Sequence, residues 1–140
     1  MEENSKSAGT KPEIKALTMD TFAKIEYKRP DMGALKKQFK TLLNAQKHAK
    51  TYDEAHAAYL ASEEVSGHLE TSYVVASIRN TLDTSDKFYD GEMQFFNRAI
   101  AQLMPLTKAF VETLLRSPFR AQFEAEFGKQ LFTIAEINQK

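Results

Sequence analysis

Apolar side chains recur at intervals of three and four residues over most of this chain, and no other feature constrains its fold as strongly. Such intervals place the apolar side chains on one face of an α-helix, whereas a half-buried β-strand would show alternation. The clearest positions are Met32, Leu35, Phe39, Leu42 and Leu43 in a first stretch, whose spacing Gln46 continues, and Phe88, Phe95, Phe96, Ile100, Leu103, Leu106, Phe110 and Leu114 in a later one. The chain is therefore predicted to be an all-α bundle of four to six helices with long antiparallel neighbours.

Capping signals divide this pattern into separate helices. Pro30 and Asp31 predict the start of a first helix, because proline suits the first turn and an acid there meets the positive end of the helix dipole. Residues 51–54 have the order of a capping box, so a second helix is expected to begin there and to run to about Leu82. Several N-cap side chains follow at residues 83–86 and predict the start of a third helix.

The C-terminal part of the chain carries further stop and start signals. Pro105 lies inside the third apolar pattern, which predicts either a kink or two abutting helices at that point. Ser117 and Pro118 repeat the order of a cap followed by proline and predict a short helix that Gly128 ends as a C-terminal cap. A further helical stretch is expected to follow Gly128.

The length and composition fit one domain with one core. The 140 residues are 42% hydrophobic and include only five glycines and four prolines, which is typical of a helical protein of this size. We expect residues 1–14 to form a flexible N-terminal tail and residues 15–140 a single helical domain. Its first residues, up to Lys28, lack a helical period and predict an extended lead-in anchored by Phe22, Ile25 and Tyr27.

Composition also excludes several classes of function. The chain has no cysteine, which excludes disulfides, thiol catalysis and thiolate metal sites and favours a reducing compartment, so we expect a cytoplasmic protein. Nineteen basic and nineteen acidic residues cancel, and no apolar run approaches the roughly 18 residues of a membrane span. Neither nucleic acid nor a membrane is therefore expected as a partner.

The balanced net charge conceals two segments of opposite sign. Residues 28–50 carry seven basic residues against one acid, and residues 53–92 carry nine acids against two basic residues. Charge pairing between neighbouring helices is one interpretation. The alternative is that the chain is a stand-alone helical interaction module, whose basic stripe binds a partner helix or an acidic surface. The stripe consists of Lys36, Lys40 and Lys47, beside Phe39.

The junction between the second and third predicted helices is more particular than a turn requires. Residues 76–92 read ASIRNTLDTSDKFYDGE, which places charged, amide and aromatic side chains close together. Together with YKRPD at 27–31, RSPFR at 116–120 and FGKQLF at 127–132, this junction resembles the N-terminal region of the oligoendopeptidase F family. Members of that family are zinc metallopeptidases related to thimet oligopeptidase. The resemblance runs from about Phe22 to the last residue.

The resemblance implies that this chain is not catalytic by itself. The related peptidases bind zinc through an H-E-x-x-H helix, where the glutamate acts as general base. Here His48, His56 and His68 are eight and twelve residues apart, and no H-E-x-x-H occurs. The resemblance therefore implies that zinc belongs to a catalytic half absent from this sequence. No catalytic residue, metal ligand or cofactor is assigned to the chain itself.

The same resemblance implies partners and candidate site residues. In that family the N-terminal helices are similar to a lid over a deep cleft and restrict substrates to short unstructured peptides. The implied partners are the catalytic domain of the same protein and an oligopeptide substrate. The candidates for substrate gating or for the domain interface are Arg79, Asn80, Asp83, Asp86 and Tyr89. The competing interpretation is structural, with the two aspartates capping the third helix and the aromatic residues filling the core.

A face that normally meets the catalytic half would be left uncovered in this chain. The ten phenylalanines in 140 residues have two interpretations: they pack in the core, or some of them are exposed and mark a docking surface. We expect the uncovered face at residues 119–132 and in the last helix, with a homodimer as its consequence.

Overall fold

The computed structural model describes residues 24–139, which contain five complete helices and no strand. The helices are α1 (Met32–Lys47), α2 (Tyr52–Leu82), α3 (Lys87–Leu115), α4 (Arg120–Phe127) and α5 (Lys129–Asn138). The predicted all-α fold is confirmed, and the five helices of the described residues compare with the four to six predicted for the chain. The expected tail at 1–14 and the expected anchor Phe22 lie outside the described residues.

The three long helices pack against one another. Each of α1, α2 and α3 contacts the other two. Helices α2 and α3 run antiparallel. At one end of the pair, Arg79 near the end of α2 donates a hydrogen bond to Tyr89 near the start of α3. At the other end of the pair, Tyr59 near the start of α2 shares a core with Leu114 near the end of α3. The predicted long antiparallel neighbours are therefore present.

Two apolar clusters hold these elements together. One joins the start of α2, the end of α3 and the short helices, and its buried members are Ala55, Tyr59, Leu114, Phe123 and Phe132. The other lies between α1 and the middle of α3, and its buried members are Leu35, Phe39 and Leu103. Burying these faces removes apolar surface from water, which contributes roughly 25 cal/mol per Å².

The helix starts follow the predicted caps with small shifts. Asp31 lies outside α1 as its N-cap and accepts a hydrogen bond from the Ala34 amide at 3.1 Å. Thr51 Oγ1 accepts from the Glu54 amide at 3.1 Å, and Glu54 Oε1 accepts from the Lys50 amide at 2.8 Å. In a standard capping box the glutamate would accept from the amide of Thr51 itself, so the reciprocal bond is displaced by one residue.

Helix α3 continues through Pro105, so the alternative of two abutting helices is wrong. Proline frees the carbonyl of the residue four positions earlier, which here is Ala101. Both residues are exposed, and the freed carbonyl therefore lies where water solvates it. Buried Leu103 and Phe110 anchor the helix on either side.

The start of α4 and the residue that ends it agree with the sequence pattern. Ser117 Oγ accepts from the Phe119 amide at 3.0 Å, although α4 begins only at Arg120. Gly128 ends α4 with a φ of 91°, a conformation that glycine adopts without steric cost.

The expected uncovered face at residues 119–132 is largely wrong. Phe123 and Phe132 are fully buried in the first cluster, because α4 and α5 fold back onto α2 and α3. Exposed apolar side chains do occur at Phe127 and, in α5, at Ile134 and Ile137. The expectation holds for the last helix and fails for most of the preceding segment.

Candidate functional site

Two of the five predicted site residues, Arg79 and Tyr89, contact an extended segment of backbone at one end of the bundle. We call residues 79–89 the α2–α3 corner and residues 24–31 the lead-in segment. From residue 26 onward the lead-in segment has no regular secondary structure, as expected from its lack of a helical period. It crosses the corner and contacts both long helices.

Asp83 and Asp86 shape the turn between the helices. Asp83 follows the last residue of α2, and its carboxylate accepts from the Ser85 hydroxyl at 2.6 Å and the Ser85 amide at 3.1 Å. These hydrogen bonds lower the pKa of Asp83. Asp86 is the N-cap of α3 and accepts from the Phe88 amide at 2.9 Å. Both carboxylates are thus used in ending one helix and starting the next.

Arg79 joins the two helices to the lead-in segment. Its Nη1 donates to the hydroxyl of Tyr89 at 2.9 Å, and its Nη2 donates to the carbonyl of Ile25. The guanidinium carbon also lies 5.7 Å from the centre of the Tyr89 ring, within the range of a cation–π contact. The predicted anchor at Ile25 therefore acts through its backbone.

Asn80 differs from the other four candidates in its hydrogen bonding. It lies half-buried in the last turn of α2. Its side chain makes no hydrogen bond to another residue within 24–139.

Glu92 is the main site residue that the candidate set lacks. Its side chain is buried on the inner face of α3, where it accepts from Tyr27 Oη at 2.7 Å and from Arg29 Nε at 3.1 Å. Arg29 Nη2 donates to the second carboxylate oxygen. The hydrogen bonds from Arg29 and then from Tyr27 lower the pKa of Glu92, against the opposing effect of burial.

The sequence did contain a signal for this contact. Glu92 lies four residues after Phe88 and four before Phe96, so it falls on the apolar stripe of α3, where a carboxylate needs partners. Tyr27 and Arg29 are two residues apart in an extended segment, and alternate side chains of an extended chain point to the same side.

Aromatic rings complete the attachment of the lead-in segment. The ring of Tyr27 lies edge-on to those of Phe88, Tyr89 and Phe96, with centroid distances of 6.2, 5.7 and 6.5 Å. The guanidinium of Arg29 lies 4.5 Å above the ring of Phe95. These contacts bury apolar surface around an otherwise costly carboxylate.

The histidines of the described region do not assemble a zinc site. His56 Nε2 lies 2.9 Å from Glu126 and His68 Nε2 lies 3.8 Å from Glu64, so each has one carboxylate beside it. No three His, Asp or Glu side chains converge within residues 24–139, whereas zinc takes three or four protein ligands. The histidines within residues 24–139 therefore do not fit a zinc ion, which the resemblance assigns to the catalytic half.

The basic stripe of α1 contributes little to direct charge pairing. In the described part of the chain, Lys36, Lys40 and Lys47 form no ion pair, and the ion pair that joins the basic and acidic segments is Arg29 with Glu92. Also within that part, no helix is both long and apolar enough to cross a membrane.

Comparisons with known proteins find a matching family and similar solved structures. The family model described as the peptidase M3 N-terminal domain matches residues 22–140. A solved oligoendopeptidase F superposes with a TM-score of 0.81 and 33% identity, over 84% of this chain and 21% of that chain. PZ peptidase A, solved with an inhibitor, gives a TM-score of 0.81, 32% identity and the same coverage. The chain thus spans about a fifth of the length of both solved relatives. No curated protein matches it significantly.

Proposed function

Because this chain belongs to the family of peptidase M3 N-terminal domains, we propose that it is the non-catalytic N-terminal helical domain of an oligoendopeptidase F-like zinc metallopeptidase. It shapes or restricts the access of oligopeptides to a cleft in a catalytic domain outside this chain. The observation that carries the proposal is the superposition of most of this chain on one fifth of two peptidases. The cysteine-free composition supports a cytoplasmic location.

The α2–α3 corner is the proposed place of contact with the substrate or the catalytic domain. Arg79 and Tyr89 hold the lead-in segment, and Asp83 with Asp86 fixes the turn. These four residues position the corner. Asn80 is the one that offers an unused side-chain amide to a partner beyond the described residues.

The test uses the full-length oligoendopeptidase F that this chain resembles. Alanine is introduced at the residue aligned with Asn80 and, in a second variant, at the residue aligned with Arg79. The quantity measured is the ratio of kcat/KM for a long peptide to that for a short one. A several-fold change in this ratio is expected, because access depends on peptide length whereas the chemical step does not.

A matched control is the residue aligned with Lys37, which is exposed on α1. Its substitution by alanine is expected to leave the ratio unchanged. If the corner variants and this control give the same ratio as the parent enzyme, the corner does not control access.

A second candidate function is a helical interaction module that binds an acidic partner. It is favoured by the absence of ion pairs to the basic stripe within residues 24–139, since these lysines give up no ion pair when they bind a partner. The test is binding of poly-glutamate to the chain and to a Lys40→Glu, Lys47→Glu variant. Binding that is lost in the variant and weakened by salt would support the module.

The first proposed function also predicts that the isolated chain self-associates. Ile134 and Ile137 on α5 are exposed, and such side chains are buried by whatever surface is available. Sedimentation at micromolar concentration is expected to show a dimer that Ile137→Glu dissociates. A strict monomer would contradict this part of the proposal.

A further inference from the structure

A second feature of the bundle is an open groove between α2 and α3, distinct from the α2–α3 corner. It has a volume of about 310 Å³, and Phe39 of α1 contributes to its lining. Leu69 and Tyr73 come from α2, whereas Ile100 and Met104 come from α3. From residue 96 to residue 107 of α3 the groove spans three helical turns, roughly 16 Å.

Apolar side chains on the walls of this groove are exposed to water. Ile100 is 43% exposed and Met104 is 57% exposed, and they lie one turn apart on the same face of α3. The deeper residue Leu103 is only 2% exposed. Ile100 and Met104 adjoin each other along the groove, unlike the single exposed apolar side chains that are normal on a protein surface.

We propose that a helix from the remaining chain of the full-length peptidase fills this groove, an inference that rests on the proposed function. The two solved relatives extend far beyond the matched region, since this chain covers only 21% of each. The occupying helix carries apolar side chains at intervals of three and four residues, which is how a helix seats in a groove.

The chemistry of the lining favours a resident helix over a passing peptide. A substrate peptide has unpaired backbone N–H and C=O groups, whose burial against carbon costs several kcal/mol without hydrogen bonds. A helix satisfies its own backbone groups and buries only side chains. The groove is lined mainly by carbon and therefore suits the helix.

The charge of Glu70 places a further requirement on the helix that fills the groove. Glu70 lines the groove and forms no ion pair with any residue within 24–139. A basic side chain on the occupying helix, placed opposite Glu70, would complement it.

Cysteine labelling tests the inference, because the chain has no native cysteine. Met104→Cys places a thiol on the groove wall, and Lys37→Cys places a control thiol on the exposed face of α1. In the isolated chain both thiols are expected to react with maleimide at similar rates. The same two aligned positions are then labelled in single-cysteine variants of full-length PZ peptidase A.

In PZ peptidase A, the thiol aligned with Met104 is expected to react at least about tenfold more slowly than the control thiol. Similar rates at the two positions would overturn the inference. Protection of Met104→Cys in the isolated chain at high concentration, together with a dimer in sedimentation, would overturn it in favour of a second copy. Neither result alters the peptide-length ratio of the corner variants, so failure here is distinguishable from failure of the proposed function.

Discussion

Arg29 donates two hydrogen bonds to the buried carboxylate of Glu92, one from Nε at 3.1 Å and one from Nη2. The two residues are 63 positions apart in the sequence. Their contact attaches the lead-in segment to the first turns of α3. The geometry of the α2–α3 corner therefore depends on a polar contact as well as on apolar packing.

Glu92→Gln is expected to destabilise the chain by about 1–3 kcal/mol, because Arg29 and Tyr27 lose a charged acceptor in a buried place. The matched control is Asp90→Asn, an equivalent change at an exposed position in the same helix, which is expected to cost little. The measurement is the free energy of unfolding in urea. Equal values for the two variants would show that the carboxylate of Glu92 contributes nothing.

The same carboxylate gives stability a defined dependence on pH. Its pKa is lowered in the folded chain, first by the hydrogen bond from Arg29. The contribution is therefore present above the ordinary value for glutamate, about 4.3, and is lost as the pH falls through the lowered value. The difference in unfolding free energy between the parent and Glu92→Gln, measured in urea, should stay constant from pH 7 to about 4.3 and should shrink as the pH falls below that value. A difference that does not shrink below about pH 4.3 would contradict the assignment.

Local signals explain why most helix boundaries could be predicted. Thr51, Asp86 and Gly128 act within a few residues of themselves, so their roles depend little on the rest of the fold. Long-range contacts are different. The partners of Glu92 depend on where the lead-in segment crosses the bundle, and the family match confirms the predicted resemblance without specifying that crossing.

Gln46 is another buried polar residue, and we expect it to destabilise the fold. It lies on the apolar stripe of α1, and neither its Nε2 nor its Oε1 has a hydrogen-bond partner in the described structure. Gln46→Met, which keeps the length of the side chain, is expected to raise the free energy of unfolding by about 1–3 kcal/mol. The control is Gln38→Met on the exposed face of the same helix, which should change stability little. A loss of stability in Gln46→Met would mean that its amide has a partner.

Phe96 tests the assignment of the inner face of α3. Its side chain is 0% exposed, whereas Phe88 in the same helix is 55% exposed. Phe96→Ala is expected to cost about 3–5 kcal/mol, and Phe88→Ala clearly less. Thermal melting of the two variants is the measurement. Similar melting temperatures would show that the buried face of α3 has been assigned to the wrong side of the helix.

The most direct test of the central claim is peptide turnover by the purified chain. A quenched fluorescent oligopeptide is incubated with the chain and zinc, beside PZ peptidase A at the same molar concentration. The account predicts cleavage by PZ peptidase A and none by the chain, because no zinc ligand set forms within residues 24–139. Turnover that coelutes with the chain and disappears on addition of a chelator would contradict it.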